Sequence, residues 1–234
     1  VLIASHRDPD GDAVAAVLAL QHILTANGVS ATAYLPDPAP LTFAFLPGFA
    51  TLTTQPPAII SGLVVGLDYG DWPRLGLPDT IPNERVITID HHPRRGQRGR
   101  LMAIDETASS TCEILYRFCA AVGITLDRTL AITLLTGIVT DTGSFQHANT
   151  SPATFEAVED LMLKGAPLPK VLKRIADSRS PALLKAWGVA LKRVQMDDAL
   201  GLVYVLMPHD DLITAGLDPD DLSSGFASLL STIP

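Results

Sequence analysis

Ser5-His6-Arg7-Asp8-Pro9-Asp10-Gly11-Asp12-Ala13 follows an apolar run, Val1 to Ala4, and precedes a long stretch, Ala13 to Ala26, that reads as an apolar helix stopped by Asn27-Gly28. An imidazole and several carboxylates crowd a sharp turn between a strand and a helix. Pro9 stiffens that turn, and Gly11 is expected to supply an unusual dihedral, so that His6, Asp10 and Asp12 converge on one point. Like charges packed this closely call for a cation. Imidazole with carboxylate suits Mn²⁺, Zn²⁺ or Fe²⁺ better than Ca²⁺.

The same pattern of apolar strand and terminal acid recurs along the chain. Val29 to Leu35 reads as a second strand, and Gly62 to Leu67 and Arg85 to Ile89 as two more, ending on Asp68 and Asp90. Leu101 to Ile104 is a fifth candidate. Helices are expected over Ser109 to Val122, from Leu126-Asp127 through Ile138, and over Ala153 to Lys164, with a short one at Leu41 to Leu46. Strands alternating with helices imply a Rossmann-like parallel α/β sheet, whose ligands gather beyond the carboxyl ends of the strands. His6, Asp10, Asp12, Asp68, Asp90, His91 and His92 then arise on one rim, joined by Asp141 from an otherwise uncharged helix end.

Composition bounds the rest. The chain has 234 residues, 47% of them hydrophobic, enough for one sizeable core and part of a second domain. Its formal charge of −8 argues against general coating of nucleic acid, although bound divalent cations would leave an anion-attracting pocket. Apolar runs are too short for a membrane span. Cys112 and Cys119 lie about two helical turns apart, too far to bridge, and a start on strand-like Val-Leu-Ile that shows no secretory pattern completes the expectation of a cytoplasmic protein. Residues 166–198 read as a helical connector broken by prolines, and 199–234, with a strand at Gly201 to Met207 and a helix at Leu222 to Leu230, as an incomplete second α/β domain.

The chain resembles the DHH phosphoesterase family, which is named for the triplet seen here as Asp90-His91-His92. The family's motifs occur in order: His-x-x-Pro-Asp-Gly-Asp-Ala from His6, Asp68 after an apolar strand, Asp90-His91-His92-Pro93, and Thr-Asp-Thr-Gly-Ser-Phe around Asp141. Residues 1–165 carry the resemblance and correspond to the catalytic domain. It implies two Mn²⁺ ions, with Mg²⁺ or another divalent metal as substitutes. His6 and Asp10 would hold the first, Asp12, His91 and Asp141 the second, and Asp68 would bridge them. His92 would touch the substrate phosphate or leaving oxygen, with Asp90 supporting a ring or loop from behind. Such a pair of metals, about 3.5–4 Å apart, generates a bridging hydroxide and clamps both oxygens of an in-line displacement. Asp10 and Asp12 thus belong to different ions, and the Asp-Gly-Asp turn becomes the spacer between them.

Within the family the motifs look most like the bacterial nano-RNase type, as do Ala108-Ser-Ser-Thr111 before Glu113 and Asn149-Thr-Ser151. That type trims short oligonucleotides to mononucleotides and dephosphorylates adenosine 3′,5′-bisphosphate, and it suggests a homodimer. A cyclic dinucleotide phosphodiesterase, a manganese pyrophosphatase and a non-catalytic nucleic-acid-binding relative are the competing readings. Gly11 speaks against the pyrophosphatase, and the full ligand set against the non-catalytic relative. The type's Gly-Gly-Gly-His stretch is absent before Pro234, so 199–234 would be only the start of its substrate-binding domain. Arg94 and Arg95 are candidates to grip a substrate phosphate, and His147 to face a nucleobase. Arg98 and Arg100 read as solvated loop, His209-Asp210-Asp211 as a helix start, and Phe43, Phe45 and Phe49 as core.

Overall fold

The computed structural model describes residues 1–176, 181–197, 199–214, 226 and 230. The division between two compact units falls after Ile175. In the first, the strands β1 (Leu2–Ala4), β2 (Thr32–Tyr34), β3 (Val64–Leu67), β4 (Val86–Asp90) and β5 (Leu101–Ile104) form a five-stranded sheet in the order β2-β1-β3-β4-β5. All neighbours are parallel, with Ile3 beside Val65 and Leu67 beside Ile89. The chain leaves β1 toward β2 on one side and returns with β3 on the other. The crevice at this change of direction is where open α/β sheets bind ligands.

Period-two alternation sorts the strand residues onto two faces. Ile3, Ala33, Val65 and Leu67 face the main core beneath α1 (Gly11–Ala26), α2 (Thr111–Val122) and α3 (Arg128–Asp141). Helix α1 is buried along most of its length, which is why it is apolar nearly all round rather than striped. The opposite face, with Leu2, Ala4, Tyr34, Val64 and Val86, is covered not by an α-helix but by Tyr69, Trp72, Leu75, Leu77 and Ile81. Helix α4 (Pro152–Leu163) opens on a capping box of Ser151 and Thr154, and α5 (Leu168–Ala176) closes the same core through Val171.

The fold departs from sequence expectation in two places. Gly11 does not supply the unusual dihedral; the left-handed residue of its turn is Asp8, at φ 51°, a residue type that tolerates that region. Gly11 is instead the first residue of α1, where a Cβ would collide with the Thr140 side chain on α3. In the second unit, β6 (Val194–Asp197) pairs antiparallel with β7 (Leu202–Val205), a hairpin between α6 (Pro181–Leu191) and α7 (His209–Thr214). The stretch before β7 had read as connector because Val194 is its only β-branched residue. The expected helix at 222–230 lies outside the described residues except at 226 and 230. His209-Asp210-Asp211 opens α7, and Asp211 pairs with Arg193.

Candidate metal centre

Strand ends bring the cluster together. β1 delivers His6, β3 delivers Asp68, and β4 ends on Asp90 with His91 and His92 just beyond. Asp68 is fully buried and takes a left-handed backbone conformation at φ 54°, a strained turn of the kind that concentrates at functional sites. Its two oxygens face different partners. Oδ2 lies 3.8 Å from His6 Nε2, while Oδ1 lies 3.3 Å from His91 Nε2 and 3.4 Å from His92 Nδ1.

The His6 ring places Nδ1 2.6 Å from the Arg7 carbonyl oxygen. A carbonyl only accepts, so the proton sits on Nδ1 and the Nε2 lone pair is left facing Asp68 and, at 3.9 Å, Asp10. Asp10 is exposed and caps α1 by accepting the Ala13 N–H. Asp12 turns the other way, into the interior. There it accepts N–H bonds from Thr111 at 2.7 Å and Cys112 at 3.0 Å, at the N-terminus of α2 some 99 residues further along the chain. Asp10 and Asp12 therefore do not meet at one point: the first stands by His6, the second against α2. On the far side, His91 Nε2 is 3.5 Å from Asp141 Oδ2. His6, Asp10 and Asp68 can place ligand atoms within 4.8 Å of one another, as can Asp68, His91 and His92.

The electrostatics describe a site in which negative charge dominates. Burial, reinforced by Asp12, Asp10, Asp141 and Asp90, pushes the Asp68 carboxyl well above the usual range. Burial also raises Asp12 against the opposing pull of His91, and burial with Asp12 raises Asp141 to about 7. His6 is lowered, chiefly by burial. Carboxylates that repel one another around imidazole nitrogens turned toward them are the donor set of a divalent cation, and the residues present fit one.

Asp90 behaves differently. Burial pushes it up, but hydrogen bonds from the ring and amide of His92 and from the Gly70 amide outweigh that and hold it at about 2. One oxygen accepts from His92 Nδ1 at 2.9 Å, the other from the Tyr69 and Gly70 amides. It braces the His92 ring and the turn after β3 from behind.

The remaining candidates lie outside this first ring. Arg94 lays its guanidinium toward Met102 Sδ, 4.0 Å away, and Arg95 is exposed, its amide donating to Gln97 Oε1 at 2.8 Å, so their partners lie outside the cluster. His147 places Nδ1 3.0 Å from the Asp141 carbonyl oxygen. Arg98 is not simply solvated: its guanidinium stacks 3.6 Å from the Trp72 ring centroid and donates to the Asp79 carbonyl oxygen at 3.1 Å, partners outside the cluster. Cys112 is buried, and burial with the Asp12 charge pushes its thiol up, so it is no nucleophile.

Sequence reasoning did not assign the residues that hold these side chains in place. Thr111 Oγ1 donates to Asp68 Oδ1 at 3.2 Å, and Asn149 Nδ2 donates to the Ser109 and Asp141 carbonyl oxygens. Behind them, fully buried Glu113 accepts from the Ser109 amide and hydroxyl, from Thr154 Oγ1 and from Arg117. The available signal was Ser110-x-x-Glu113, a cap spacing that marks a helix start without saying what the helix end would bind.

Residues 1–138 match the DHH family, N-terminal domain. The bifunctional oligoribonuclease and PAP phosphatase NrnA of Thermus thermophilus is 31% identical over 232 residues, covering 98% of this chain and 68% of that protein. The protein of the same name from Bacillus subtilis is 25% identical over 165 residues, 69% of this chain and 52% of its own length. The chain thus spans about two thirds of one curated relative and about half of the other. Among solved structures, an exopolyphosphatase-related protein from Bacteroides fragilis superposes with a TM-score of 0.91 at 22% identity, over 99% of this chain and 72% of that one, a likeness of fold.

Proposed function

The chain belongs to the DHH family, and from that premise we propose that it is a two-metal phosphoesterase that hydrolyses short oligonucleotides to mononucleotides and removes a phosphate from adenosine 3′,5′-bisphosphate. The observation that carries the reading is Asp68, a buried carboxylate whose separate oxygens face His6 on one side and His91 on the other. In this reading His6 and Asp10 hold one ion, Asp12, His91 and Asp141 the other, and Asp68 bridges, with Mn²⁺ as the proposed metal. Cations there would neutralise the phosphate and lower the pKa of water.

The protein's own groups do the positioning. The α2 N-terminus holds Asp12 by two amides, so its carboxylate is aimed before any ligand arrives. Asp90 fixes the His92 ring through Nδ1, which leaves the Nε2 edge for a phosphate or leaving oxygen. Residues 1–165 would form the catalytic domain, 166–198 a connector, and 199–234 the start of a domain that selects substrate. The names of the relatives support the substrate class.

The test is a manganese-dependent assay on di- to pentanucleotides, adenosine 3′,5′-bisphosphate, pyrophosphate and a cyclic dinucleotide, with Asp12→Ala as control. Turnover of the first two substrates, lost in the variant, is expected. Preference for pyrophosphate or the cyclic dinucleotide would overturn the substrate class, and turnover indifferent to Asp12→Ala would overturn the ligand assignment.

A further inference from the structure

Beside the acidic cluster stands a cation that neither strand-end patterning nor the family motifs single out. Arg74 lies in the single helical turn Trp72–Leu75 that follows β3, and it is half-buried. The Arg7 N–H donates to the Arg74 carbonyl oxygen at 2.8 Å, tying this turn to the loop that carries His6. Gly70, at φ +64°, lies between Arg74 and His92: a Cβ built there would be 3.5 Å from Arg74 Nη1 and 3.6 Å from His92 Cγ. Both are ordinary van der Waals distances, so the guanidinium and the imidazole flank the same residue, and it is the positive φ that asks for glycine there.

We propose that Arg74 contacts substrate in this site, binding a non-bridging oxygen of the phosphate beside the His92 ring. The inference rests on the phosphoesterase reading above. Only one of the guanidinium's donors is committed: Nη1 bonds the Tyr69 carbonyl oxygen at 3.2 Å, which holds the side chain's direction. Among the described residues Arg74 forms no ion pair, although its charge is felt at His6. Its other nitrogens are not among the buried atoms without partners, in contrast to Nε and Nη2 of Arg98, so they remain accessible. A guanidinium offers five donors in a planar fork matched to phosphate, and here one donor is anchored while the rest are free. Arg94 and Arg95 lack that anchoring. A cation beside His6 and His92 also offsets the cluster's repulsion of an incoming polyanion.

The experiment uses the full chain loaded with Mn²⁺. Titration calorimetry measures the affinity for inorganic phosphate, and steady-state kinetics follow adenosine 3′,5′-bisphosphate, in wild type, Arg74→Gln, Arg74→Lys and Arg100→Gln. Mn²⁺ binding is measured separately by electron paramagnetic resonance. Arg74→Gln is expected to weaken phosphate binding by about 10- to 100-fold and Arg74→Lys by less, with Mn²⁺ binding unchanged and Arg100→Gln like wild type. Phosphate affinity within about twofold of wild type in Arg74→Gln would overturn the proposal. So would equal loss of Mn²⁺ binding in both Arg74 variants, which would make the residue structural. A wild-type protein that binds Mn²⁺ but turns over no phosphoester would instead bring down the underlying reading, and this inference with it.

Discussion

Replacing Asp141 with Asn should stabilise the metal-free protein at alkaline pH while weakening its hold on metal. Burial, then Asp12, raise the Asp141 carboxyl from an ordinary 3.8 to about 7, with His91 pulling the other way. The folded state therefore holds this proton more tightly than the unfolded chain does. The associated stability is intact below about pH 4 and is lost as pH rises through about 7. Three pH units at about 1.4 kcal/mol each give a loss of about 4 kcal/mol, and asparagine avoids it. In a unit of this size that corresponds to a rise of roughly 8–16 °C in Tm at pH 8, shrinking toward zero near pH 4. The assay is thermal denaturation of both proteins in EDTA across pH 4–8, repeated with Mn²⁺. Metal should raise the wild-type Tm at pH 8 and raise the variant's less, because a ligand has gone. An Asn variant no more stable than wild type at pH 8 in EDTA, or equally stabilised at pH 4 and pH 8, would refute the claim that these carboxylates are held against their own repulsion.

Other consequences are as direct. Glu113→Ala leaves Arg117 with Asp105 alone but strands the buried Ser109 and Thr154 donors, and should cost about 1–3 kcal/mol in urea denaturation, with Glu113→Gln costing less. Thr111→Val keeps the shape but removes the hydroxyl that donates to Asp68, and should weaken Mn²⁺ binding about 10-fold by calorimetry. The two adjacent histidines should separate: His91→Ala should lose Mn²⁺ affinity, while His92→Ala should retain it and lose about 100-fold or more in kcat.

Much of the site was legible because a parallel sheet carries its own address system. Apolar runs ending on acids mark strands, and in a parallel sheet every strand end opens on the same rim, so His6, Asp68, Asp90, His91 and His92 could be placed together from sequence pattern alone. Asp90 shows how far this goes. Pattern put it at the rim, and its neighbours His92, Tyr69 and Gly70 turned it into a brace. Gly11 was noticed for a dihedral it does not adopt, since what demands glycine there is a threonine on α3.

By itself the sequence determined the fold class, the order of the strand-end histidines and acids and the family, because periodicity and terminal acids are local properties of the chain. Tertiary structure alone decided which groups hold those side chains. Backbone N–H groups of Thr111 and Cys112 receive Asp12, Glu113 anchors the start of that helix, and Arg74 comes beside His92 across a glycine. The physical reason is that an amide donor is carried by nearly every residue and a guanidinium by many. Nothing local marks the particular one that packing will bring, across about a hundred residues of chain, to a buried carboxylate.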